Sequence, residues 1–79
     1  MAKSAFAAAL KQARYEAEMT AKELSALSGV SLTTITRWEG GHLPQRTLAV
    51  VKVARALGVD NDRLLIPMID EYERRVKGK

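Results

Sequence analysis

The sequence predicts an all-α fold of five short helices, and three observations carry that expectation. Apolar residues recur every three or four positions along most of the chain. Serine, threonine or aspartate stands just ahead of those periodic stretches, where a side-chain oxygen can take an orphan amide. Glycines fall where the stretches stop.

Each element follows from these signals. Ser4 can cap a first helix running to about Glu18, with Phe6, Ala9, Leu10, Ala13 and Ala17 on its inner face. Thr20 and Glu23 form a capping box that starts a second helix over 21–28, burying Leu24 and Leu27. Gly29 ends it, because a residue without Cβ enters the left-handed region at little cost. Ser31 caps a third helix over 32–39, with Ile35 and Trp38 turned inward. Gly40-Gly41-His42-Leu43-Pro44 breaks the pattern and makes a loop. Thr47 is the expected cap of a fourth helix over 48–57, buried through Val50, Val53, Ala54 and Leu57 and ended by Gly58. Asp60 is the expected cap of the last segment, with Asp62 near the positive end of the helix. Leu64, Leu65, Met68, Ile69, Tyr72 and Val76 carry the apolar pattern onward. Pro67 lacks an amide hydrogen and disfavours a helical Ile66, so a short helix near 61–66 and then a kink or fresh helix to about Lys77 is expected.

The chain has 79 residues, a size that supports one modest core. It contains no cysteine, which excludes disulfides and thiolate metal sites. The one histidine, His42, lies beside two glycines and reads as solvated rather than as a ligand. No apolar run approaches the ~20 residues of a membrane span. Met1-Ala-Lys-Ser leads into an alanine-rich amphipathic stretch, which is not a signal-peptide pattern. A cytoplasmic protein is the expectation. No catalytic pair, phosphate loop or metal-ligand spacing is present, so neither an enzyme nor a cofactor nor a small-molecule ligand is implied.

The net charge of +4 is unevenly placed. Residues 1–59 hold eight Lys/Arg and four Asp/Glu, whereas residues 60–79 hold five of each. The positive excess therefore lies in the part of the chain that contains residues 20–39, two short helices joined by a glycine turn. That is the sequence form of a helix-turn-helix, whose second helix can enter the major groove of DNA. A basic face suits such a polyanionic partner.

From Leu10 to Leu65 the chain resembles the phage repressor and Cro-like helix-turn-helix family, the Xre-like regulators. The resemblance rests on Leu10 and Arg14, on Thr20 with Glu23-Leu24, on Gly29-Val30-Ser31, and on Ile35 with Arg37-Trp38-Glu39-Gly40. It continues through Pro44, Val53-Ala-Arg-Ala-Leu-Gly-Val59, Asp60 and Leu64-Leu65. It implies a lambda-repressor-like domain over 1–66 and a C-terminal helix over 67–79. Arg14 and Glu39 match positions that form a largely buried ion pair in many members. Leu32, Thr33, Thr36 and Arg37 match positions facing base edges; helical geometry independently turns Thr36 and Arg37 outward. Arginine can hold guanine bidentately, and the threonine methyls and Leu32 can pack on thymine methyls. Phosphate contacts are expected from Thr20, Lys22, Ser31, Thr34, Gln45, Arg46 and Thr47, at or near helix N-termini.

Two positions depart from the family pattern. Ala21 stands where a bracing glutamine is common, and Ser25 where alanine is common. In the C-terminal segment Leu65, Ile69, Tyr72 and Val76 are spaced 4, 3, 4, a seam that Ile69, Tyr72 and Val76 can offer to a second copy or a protein partner. The expected function is duplex-DNA binding in transcriptional regulation, by repression, as a homodimer. The alternatives are the DNA-binding half of a toxin–antitoxin pair, or an adaptor that has lost DNA binding.

Overall fold

The computed structural model describes residues 4–77. The Met1-Ala-Lys start of the expected N-terminal domain and the last two residues of the expected C-terminal segment lie outside them. Five helices make up the fold: α1 (Ala5–Glu16), α2 (Ala21–Ser28), α3 (Leu32–Glu39), α4 (Thr47–Leu57) and α5 (Asp62–Lys77). Their packing closes a ring, α1 on α3, α3 on α2, α2 on α4, α4 on α5 and α5 on α1. The ring encloses Phe6, Leu10, Leu24, Ile35, Val50, Val53 and Leu64, all fully buried.

Ser4 caps α1 by accepting the Ala7 amide. The helix stops at Glu16, earlier than the expected Glu18, because Glu18 takes the left-handed conformation at φ 57°. The Met19 amide then reaches back to the Arg14 carbonyl at 3.2 Å, a Schellman closure without glycine. The capping box on α2 has both its hydrogen bonds, and Gly29 ends that helix at φ 78°.

The inner face of α2 differs from expectation. Leu24 is buried, but Leu27 is 65% exposed. The face turned inward is Ala21, Leu24, Ser25 and Ser28, at spacings of three and four. Leu27 sits about 100° around from Ser28. Small residues on that face let a two-turn helix lie close to its neighbours.

The starts of α4 and α5 also require correction. Arg46, not Thr47, occupies the N-cap of α4, with no side-chain cap bond; Thr47 is the first helical residue. A threonine cap is worth only about 1 kcal/mol, less than the packing that sets the register of Val50, Val53, Ala54 and Leu57. At α5 the first turn is closed by main chain: the Arg63 amide bonds the Asp60 carbonyl, and the Leu64 and Leu65 amides bond the Asn61 carbonyl.

Instead of a short helix followed by a fresh one, α5 is a single helix with Pro67 inside it. Proline forfeits one hydrogen bond, to the Arg63 carbonyl. Leu64 and Met68 are buried on either side of it, each worth about 1.5–3 kcal/mol, which carries the helix across.

The buried face of α5 is Leu64, Met68 and Glu71, one position away from the apolar seam. Ile69 and Val76 remain 50% and 73% exposed. Glu71 is buried because it serves the N-terminus of α1. Its carboxylate accepts the Ala5 amide at 2.6 Å and the Arg75 guanidinium at 3.2 Å, with the Ser4 hydroxyl and Phe6 amide beside it. Burial alone would raise its pKa; the Ala5 amide, the Ser4 hydroxyl, the Arg75 guanidinium and the Phe6 amide outweigh burial and hold it below the usual carboxylate value. A depressed carboxylate stabilises the fold above its unfolded pKa of about 4.3, and that stability is lost as pH falls through the folded value. Glu71→Gln is therefore expected to lower Tm at pH 7 and to flatten the loss of Tm below about pH 4.3, as read by thermal melts across pH. A residual acid limb should persist, because hydrogen bonds from Gln12 and Arg63 also depress exposed Glu16.

Candidate nucleic-acid interface

The inner face of α3 is fixed first. Ile35 is fully buried, and Trp38 meets Phe6 of α1 edge-to-face, with ring centroids 5.7 Å apart. Arg14 then locks the C-terminal end. Its Nε and Nη2 donate to the two Glu39 oxygens at 2.6 and 2.9 Å, and its Nη1 donates to the Met19 carbonyl at 3.0 Å. One guanidinium thus joins α1, the turn before α2 and the end of α3. Both side chains are nearly buried, at 13% and 11% exposure, and the hydrogen bonds that Arg14 donates to Glu39 hold it more firmly protonated than usual. At the other end, Ser31 accepts the Thr34 amide at 3.1 Å and gives its own proton to Thr34 Oγ1 at 2.8 Å. Ser31 is therefore spent on the cap, while the Thr34 hydroxyl proton is free to donate outward.

With both ends held, one face of α3 is presented to solvent. Thr33, Thr36 and Arg37 are exposed, and Leu32 is 43% exposed at the mouth of the helix. Beside this face a groove runs between α3 and α4. Arg37, His42, Arg46 and Lys52 line it together with Thr34, Gln45 and Leu48, and no carboxylate does. A helix of eight residues with an uncharged and cationic outer face, flanked by a groove of fixed positive charge, has the form of a duplex-reading surface.

The helix-turn-helix domain family model matches residues 5–65. The chain belongs to the helix-turn-helix domain family. No curated protein and no solved structure matches it.

In this helix-turn-helix domain the remaining candidate residues fall in two places. Thr20 and Lys22 are exposed at the start of α2, where the Thr20 side chain is engaged in the capping box. Gln45, Arg46 and Thr47 are exposed at the start of α4, whose first amides have no side-chain partner from the N-cap. Ala21 lies half-buried against the core rather than reaching outward. Ser25 is half-buried, with its carbonyl accepting the Gly29 amide at 3.0 Å. Tyr72 gives its hydroxyl to the Pro44 carbonyl, so of the three seam residues only Ile69 and Val76 present wholly apolar groups.

Three groove residues escaped the sequence argument: His42, Leu48 and Lys52. The signal for two of them was present. Leu48 and Lys52 are four apart, a stripe on α4 opposite Val50, Val53 and Leu57, with Gln45 just ahead of the helix. His42 is brought in by its amide, which donates to the Arg37 carbonyl at 3.0 Å. No helix among the described residues is long and apolar enough to cross a membrane.

Proposed function

We propose that this protein is a transcriptional regulator of the Cro and Xre type that binds duplex DNA sequence-specifically, acting in the cytoplasm as a repressor. The observation that carries this reading is the pairing of an exposed α3 face, Leu32, Thr33, Thr36 and Arg37, with a carboxylate-free cationic groove. On this reading α3 lies in the major groove. Arg37 holds a guanine, and Leu32, Thr33 and Thr36 pack on thymine methyls and neighbouring base edges. Lys22, Thr34, Gln45, Arg46 and Thr47 meet phosphates, Lys52 adds a further cation, and Thr20 and Ser31 hold the helix starts through their caps.

Eight residues of recognition helix span about 12 Å, enough for a few base pairs. A two-fold dimer reading half-sites about one turn apart supplies the remaining specificity. Exposed Ile69 and Val76 on α5 support self-association or a protein partner there. Co-purification of a second protein on that face would turn the reading toward an antitoxin.

Binding measured by fluorescence anisotropy should weaken steeply with salt, because phosphate neutralisation releases counterions. Arg46→Ala should weaken every duplex by a similar factor and reduce the salt slope by about one unit. An unchanged slope would place Arg46 off the DNA backbone.

A further inference from the structure

The geometry points to a positioning role for the C-terminal helix: we propose that Tyr72 and Arg75 of α5 hold the loop 40–46 so that the Gln45 main-chain amide is aimed at a DNA phosphate. The inference rests on the DNA-binding reading above and adds to it two residues that lie outside the helix-turn-helix match.

The loop joins the reading helix to α4 and is tied on two sides. Toward α3, the Gly41 amide donates to the Trp38 carbonyl at 3.1 Å and the His42 amide to the Arg37 carbonyl at 3.0 Å. Toward α5, Arg75 Nη2 donates to the Gly41 carbonyl at 2.9 Å, and the Tyr72 hydroxyl donates to the Pro44 carbonyl. Arg75 is itself held at 3.2 Å by Glu71, whose other oxygen takes the Ala5 amide at 2.6 Å. A chain of hydrogen bonds therefore links the start of α1, α5 and the loop.

Peptide planarity turns these ties into directions. In a trans peptide the carbonyl and the following amide point opposite ways. The Gly41 carbonyl faces Arg75 on α5, and the next amide, that of His42, indeed faces α3. By the same rule, fixing the Pro44 carbonyl on Tyr72 aims the Gln45 amide away from α5. Gln45 lines the cationic groove with Arg37 and Arg46. A donor held there before binding loses less freedom when it meets a phosphate oxygen. The recipient is the sequence-independent backbone, so the effect is uniform across sequences.

Two variants that leave the net charge unchanged test this. Tyr72→Phe removes only the hydroxyl, and Arg75→Lys keeps the cation but loses the guanidinium fork. Each should weaken binding about 3- to 10-fold, by the same factor on the preferred duplex and on scrambled duplexes, with the salt slope unchanged. Amide exchange at Gly41 and His42, whose amides are bonded to the Trp38 and Arg37 carbonyls, should quicken in both, while exchange in the α3 core, at Ile35 and Trp38, should not. Affinity within twofold of wild type in either folded variant overturns the proposal, as does a loss confined to one base position. If the unaltered protein binds no duplex at all, the DNA-binding reading itself has failed, an outcome visible before any variant is compared.

Discussion

Arg14→Ala is expected to lower the Tm by at least about 12 °C and to leave much of the protein unfolded at 37 °C. The guanidinium makes three hydrogen bonds, two to Glu39 and one to the Met19 carbonyl, in a site where both side chains are nearly buried. Removing it strands the Glu39 carboxylate against α1, at a cost of about 3–5 kcal/mol. A domain of this size loses about 4–8 °C for each kcal/mol, and its whole stability is on the order of 5 kcal/mol. Arg14→Lys should recover only part of the loss, because an ammonium cannot span both oxygens and the carbonyl. A double-mutant cycle with Glu39→Gln, read by thermal melts, isolates the pair. A shift under about 4 °C for Arg14→Ala, or additive effects in the cycle, would show that the ion pair does not hold α3 to α1.

The second large effect concerns specificity. Arg37 is exposed on α3 one residue before buried Trp38, so the helix fixes its direction while its tip stays free. Arg37→Ala should cost about 1–3 kcal/mol against the preferred duplex, roughly 5- to 150-fold, and much less against duplexes altered at the guanine it reads. Arg46, at the N-cap of α4, should instead weaken all duplexes alike. The contrast between a position-specific and a uniform loss separates base contact from phosphate contact.

Much of this architecture was legible in the sequence, because several local signals agreed at each boundary. Thr20 with Glu23, Gly29 and Ser31 set α2, the turn and the start of α3 together, and the buried faces of α3 and α4 followed from three- and four-residue spacing. Less legible are the places where the largest apolar side chains do not mark the inner face. On α2 the inner face carries Ala21, Ser25 and Ser28 beside Leu24, and Leu27 is exposed. On α5 the inner face runs through Glu71, which is charged yet buried because it serves an amide 66 residues away. Such a partner has no local signature. Nor does the tie between Tyr72 and Pro44, which depends on how α5 crosses the loop. The outward set Leu32, Thr33, Thr36 and Arg37 was legible, whereas the groove that frames it required α4 to be placed in space.

The central claim is that α3 reads duplex DNA, and selection of bound sequences from a random duplex pool tests it most directly. The account predicts enrichment of a short motif containing a guanine, an inverted repeat about one helical turn apart where two copies bind, and loss of preference at that guanine alone in the Arg37→Ala variant. A pool that emerges without enrichment at low salt, or a motif unchanged by Arg37→Ala, would contradict it.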